Sequence, residues 1–195
     1  MKGTLSWLPI GATLAVAAQA FAIDYDEGVD GDLSGDPLAP FVLGPLDEGS
    51  NIITTSATFG DVDYITVTIP TGFELSSLVL DDYIGLDTVA FIAVQEGTIF
   101  TTGPDGPDVF ALLGWTLFGP TAEPVGTDLL PIMADPPAGI GFDGTLGEGD
   151  YTFWVQQTGD LTTHTFDFTV TAVIPAPATL GMFALAGLGR RRRRR

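Results

Sequence analysis

Gly and Pro recur every few residues between positions 23 and 173, and no long stretch there repeats its apolar side chains at helical spacing. A backbone punctuated this often cannot carry long helices, because Pro removes a donor and Gly is costly to order inside one. It can carry short strands joined by tight turns. Strand-like runs stand at Ile52–Thr58, Tyr64–Ile69, Leu75–Leu80, Val89–Gln95, Phe110–Phe118, Tyr151–Gln157 and His164–Val173. Ile65, Val67 and Ile69 alternate with Tyr64, Thr66 and Thr68, which gives that run one apolar and one polar face. In Val89–Val94 both faces are apolar, as in a strand covered on both sides. Phe166, Phe168 and Val170 mark the inner face of the last run. No internal repeat is visible. The pattern predicts an all-β fold, a single antiparallel β-sandwich or jelly roll of about eight strands over residues 23–173.

Charge restricts what such a body can meet. Lys2 and Arg190 to Arg195 are the only basic residues, whereas all 25 carboxylates lie between Asp24 and Asp167. The whole chain is formally −18, and the body alone has no Lys or Arg to set against its 25 acids. Such a surface repels phosphate backbones, which excludes nucleic acid as a partner. With no Cys and one His, zinc ribbons, Cys nucleophiles and disulfide scaffolds are excluded as well.

Both ends read as addresses. Lys2 precedes the mostly apolar Leu5 to Ala17, and Ala18-Gln19-Ala20 and Ala20-Phe21-Ala22 each place small residues at −3 and −1. Residues 1–22 therefore predict a helical signal peptide cut after Ala22, with Ala20 as the second choice. The competing transmembrane reading suffers from a short apolar run and from Asp24, Asp26 and Glu27 directly behind it. At the other end, Pro175-Ala176-Pro177 fixes an extended segment, Ala178 to Gly189 is uncharged and apolar, and six arginines follow. Twelve residues as a helix span about 18 Å, short of the roughly 30 Å hydrocarbon core. The arginines would remain cytoplasmic and halt translocation.

The order of Pro motif, short apolar helix and terminal arginines over residues 174–195 resembles the PEP-CTERM sorting tail of bacterial envelope and extracellular-matrix proteins. The resemblance implies an exosortase substrate, with Pro175, Ala176, Pro177, Arg190 and Arg191 as the sorting motif. Exosortase is a membrane-embedded cysteine protease that cuts near the Pro-Glu-Pro motif. Here Ala176 stands where the family name implies Glu, which bears on the exosortase variant. The implied partners are exosortase and the export machinery, and the implied location is the cell envelope, surface or exterior after transient inner-membrane anchoring.

Short motifs of the body are similar to the bacterial pre-peptidase C-terminal type of secreted β-sandwich. They are Gly60-Asp61-Val62-Asp63-Tyr64, the turn Pro70-Thr71-Gly72, and Gly149-Asp150-Tyr151-Thr152-Phe153-Trp154-Val155. This resemblance implies an accessory, noncatalytic domain, and in some members calcium held by an N-terminal acidic segment and the Asp-x-Asp loop, here Asp61 and Asp63. Independently, Asp30, Asp32, Ser34 and Asp36 place oxygens at alternating positions with Gly35 sixth, the first half of an EF-hand-like loop. Position twelve is Phe41, so the bidentate Glu is missing and other carboxylates must complete a site. Asp61 and Asp63, or Asp24 and Asp26, are the candidates, and Ca2+ is the expected ion. The alternatives are a solvated Asp/Gly turn, and acidity suited to a saline habitat.

Catalysis finds no motif. Neither a nucleophile elbow nor a phosphate loop nor a dinucleotide fingerprint is present, and His164 shares its strand face with Phe166 and Phe168 as a packed residue does. Nothing among the 25 acids singles out a glycosidase pair. Trp154 shares its face with Thr152 and Gln156, opposite Tyr151, Phe153 and Val155. That face could stack on a pyranose and bond its hydroxyls, or lie buried under the second sheet or a loop. Two expectations result. The first is a surface-sorted, noncatalytic structural or matrix protein stabilised by calcium; the second is an extracellular polysaccharide-binding module with the same tail.

Overall fold

The computed structural model describes residues 22–103 and 106–174. Apart from Ala22 and Ile174, the expected signal peptide and the sorting tail, including Pro175, Ala176, Pro177, Arg190 and Arg191, lie outside the described residues. Among those described, no helix is long and apolar enough to cross a membrane.

The body is mostly β. Its strands are β1 (Asp24–Asp26), β2 (Phe41–Pro45), β3 (Gly49–Ala57), β4 (Val62–Ile69), β5 (Phe73–Gly85), β6 (Ala90–Glu96), β7 (Gly114–Phe118), β8 (Gly149–Gln156) and β9 (Thr162–Ala172). Two short helices join them, α1 (Glu27–Asp30) and α2 (Leu130–Ala134). A four-stranded sheet runs β1-β3-β9-β5, and a five-stranded sheet runs β2-β4-β8-β6-β7. The expected antiparallel pairing holds for the inner ladders but not at two edges, where β1 joins β3 and β2 joins β4 in parallel. These are the two runs too short to announce themselves in the sequence, and each is added to the side of a hairpin-like ladder already satisfied on its other edge.

The sheets meet over one apolar core. Ile53, Leu75, Leu78, Leu80, Phe166 and Phe168 come from the first sheet, and Ile65, Val67, Ile92, Val94, Phe153 and Val155 from the second. Phe153 meets Phe168 edge-on across the interface, with ring centroids 5.1 Å apart. Burying this many large apolar side chains is the main favourable term for such a body, at about 1.5–3 kcal/mol each. Asn51 ties the core's rim together. Fully buried, it donates to the carbonyls of Asp47, Gly49 and Phe168 and accepts from the N–H groups of Ile23 and Asp47.

The outer faces differ. The four-stranded sheet presents hydroxyls, with Thr54 against Thr165 and Ser56 against Thr163 at 3.1 and 3.0 Å. The five-stranded sheet presents Tyr64, Trp154, Phe91 and Trp115, and a second apolar cluster covers this face through Phe100 and Leu112. Both belong to the connection between β6 and β7. A backbone bond of 2.7 Å from Phe100 to the Pro37 carbonyl fastens that connection to the segment before β2.

Candidate metal centre

Asp63 falls in the alternation that turns Ile65, Val67 and Ile69 inward, so β4 carries a carboxylate on its core-directed side. It is 1% exposed, and its Oδ2 has no hydrogen-bond partner among the described residues. Such an ion without a partner costs several kcal/mol. Burial first, then the negative charges of Glu27, Asp61 and Asp32, push its carboxyl up to about 8.

Glu27 opens α1 and is itself buried. Its Oε1 accepts from the Leu33 N–H at 3.1 Å and its Oε2 from the Ser56 N–H, so it staples the chain's first turn to β3. Burial raises its pKa; those two N–H groups lower it, and the neighbouring Asp32 carboxyl raises it again. Asp61, in the turn before β4, is raised by burial and by Asp32 and lowered by the Val62 N–H. Glu27, Asp32, Asp61 and Asp63 thus feel one another, and no Lys or Arg between Gly3 and Gly189 is present to neutralise them.

The structure brings Asp32, Asp61 and Asp63 of the expected ligands into this group. The others serve local turns. Asp30 accepts from the Asp26 N–H at 2.9 Å, Ser34 donates to the Ala39 carbonyl at 2.7 Å, and Asp36 accepts from the Leu38 N–H at 2.9 Å. The EF-hand-like wrap is absent here: Gly31 takes the left-handed backbone, at φ 123°, and Gly35 does not. Asp24 and Asp26 stay exposed on β1, and Glu27 takes the place considered for them. The parity of Asp63 with Ile65 is the sequence signal for its inward-facing carboxylate.

The chain matches no family model, no curated protein and no solved structure. Its residues have to speak for the site. All four side chains offer hard oxygen donors, which suits Ca2+ better than a softer ion, and the Oδ2 of Asp63 is buried without a hydrogen-bond partner among the described residues. Among the described residues no three acidic or histidine side chains already form a closed ligand set, so binding would have to draw Glu27, Asp32, Asp61 and Asp63 inward.

The aromatic face requires a correction. Thr152, Trp154 and Gln156 do share one side of β8, but Trp154 is 2% exposed and Thr152 fully buried. The β6–β7 connection is the reason. Trp154 packs against Phe91, Phe100 and Tyr64 at centroid separations of 4.7, 5.6 and 6.0 Å. Thr152 Oγ1 lies 2.8 Å from both Thr66 Oγ1 and the Gly97 carbonyl oxygen. Trp154 therefore offers no free ring to a pyranose. His164 is core, as its parity with Phe166 suggests. It is fully buried beside Tyr83 and Phe118, and burial lowers its pKa to about 4.

Proposed function

We propose that the chain is an exported, noncatalytic β-sandwich whose Glu27–Asp32–Asp61–Asp63 group takes up calcium outside the cell and so completes the fold. The observation that carries the calcium part is the buried, unpartnered Asp63 carboxylate beside three other acids in a body without Lys or Arg. A divalent ion there would replace like-charge repulsion by coordination and bind only the folded state. The export and sorting part rests on the sequence of the two ends, residues 1–22 and 174–195, and places the protein as an exosortase substrate released to the surface or matrix. The buried Trp154 favours this structural reading over the polysaccharide module.

Thermal melts of the protein in EDTA and in millimolar calcium, both at high ionic strength, test the site. Selective binding to the folded state raises stability by about 2.7 kcal/mol at a hundredfold excess over the dissociation constant. The midpoint should rise in calcium and the Asp63→Asn protein should lose that rise. Equal midpoints for the unaltered protein would remove calcium from the proposal. Sorting has its own test, because mass spectrometry of host-secreted material should find the chain ending before Arg190. An intact arginine tail there would overturn exosortase processing.

A further inference from the structure

A concave pocket of about 360 Å³ opens on the outer face of the five-stranded sheet, beside the covered Trp154. Phe91 from β6, Trp115 from β7, Trp154 from β8 and Val109 with Pro107 from the β6–β7 connection form its walls. Phe91 and Trp115 are half-buried, with centroids 5.9 Å apart and planes 31° from parallel, so both contribute to an accessible aromatic wall. The Trp115 Nε1–H is already spent on the Ala138 carbonyl at 2.7 Å. What that ring offers to the pocket is therefore π-surface and no donor.

Three classes of small ligand compete for such a space. A sugar requires several convergent hydrogen-bonding groups; among the described residues, Gln156, Thr158 and the indole nitrogens of Trp115 and Trp154 are the only side-chain polar groups of the lining, the first indole N–H being spent and the second buried. An anionic acyl chain would enter against the field of 25 carboxylates. An organic cation is favoured by that field and by the negative faces of the aromatic rings. Among the described residues no carboxylate lines the pocket, although Asp108 stands between the lining residues Pro107 and Val109. A compact, strongly hydrated ammonium would lose its water there without a carboxylate to replace it. A quaternary ammonium sheds water readily and presents methyl groups to the rings.

We propose that this pocket binds a quaternary ammonium group, held by the Phe91 and Trp115 rings and drawn in by the negative charge of the body. The proposal is independent of the calcium site and of the sorting tail.

Choline and its uncharged isostere 3,3-dimethyl-1-butanol separate charge from shape. Titrated into the protein at low salt with EDTA present, and followed by calorimetry and tryptophan fluorescence, choline should saturate and bind about tenfold more tightly than the isostere. Choline binding should weaken as salt rises, and Phe91→Leu and Trp115→Leu should each weaken it several-fold. Near-UV dichroism and the melting midpoint identify any variant that has not folded, and the choline-to-isostere ratio on the unaltered protein needs no variant. Equal affinity for the two ligands would overturn the proposal in favour of a plain apolar pocket. Tighter binding of methyl glucoside than of choline would overturn it in favour of a glycan site. No saturable choline binding, or binding untouched in folded Trp115→Leu protein, would overturn it outright.

Discussion

Two buried titratable side chains give opposite pH signatures. Asp63 is raised to about 8 from an ordinary 3.8, so its protonated form is the one that folding favours. The associated stability is complete below pH 3.8 and drains away as pH rises towards 8. His164 is lowered to about 4 from 6.5 and is held neutral. Its contribution is complete above pH 6.5 and is lost as pH falls towards 4. Between pH 4 and 6.5 the two slopes oppose each other, whereas from 6.5 to 8 Asp63 and its acidic neighbours act alone. In EDTA, stability should therefore fall by about 2 kcal/mol over that last interval, at 1.36 kcal/mol per proton and pH unit. Asp63→Asn should flatten the decline, and saturating calcium should abolish it by displacing the proton. A melting midpoint that stays level from pH 6.5 to 8 in EDTA would contradict the burial of an uncompensated Asp63. Part of this site was legible in the sequence. Asp61 and Asp63 stood out through their motif, but Glu27 did not, because only the turn of α1 beneath β3 reveals that this acid is buried.

At the scale of elements, each of the seven strand-like runs of the sequence overlaps a strand, and the misses have local causes. β1 and β2 are three and five residues long, too short for a period to register. The run Phe110–Phe118 begins as a 3-10 turn, Val109–Ala111, capped by Asp108 accepting from the Phe110 N–H at 3.1 Å. Only from Gly114 onward is it strand. Gly114 also fixes α2 against β7. A β-carbon there would sit 2.2 Å from the Met133 carbonyl oxygen and 2.8 Å from the Phe142 ring. Met133 is fully buried, and its N–H donates to Leu129 at 2.9 Å, so the helix cannot simply step back. Gly114→Ala should destabilise the protein by about 1–3 kcal/mol, the range for overpacking. Urea unfolding measures this directly, and a loss below 0.5 kcal/mol, within ordinary surface variation, would contradict the contact. The covering of Trp154 had no sequence signal of its own, since alternation fixes which side of a sheet a residue faces and not what lies over that side.

For the whole molecule the charge decides the solvent it needs. With 25 carboxylates and no Lys or Arg between Asp24 and Asp167, every long-range electrostatic term among these side chains is repulsive. Monovalent salt should raise the melting midpoint in EDTA between 0.05 and 1 M, as the Debye length shrinks from above 10 Å to about 3 Å. The Asp63→Asn protein should retain most of that rise, because the screened charges are spread over the surface. A midpoint indifferent to salt would mean that the carboxylates are largely protonated or already neutralised.

The position of β9 has a further consequence, for the time course of folding. It lies between β3 and β5, and it is the last strand among the described residues. Thr54 and Thr165 face each other across 111 residues of sequence. Neither β3 nor β5 has the other as a neighbour, so the two halves of the four-stranded sheet are not joined until β9 arrives. Closure over such a distance places folding at the slow, millisecond-to-second end for small domains. A chain emerging N-terminus first can set β1 beside β3, but it must keep the facing edges of β3 and β5 open until residue 172 is out, and only then can β9 enter between them.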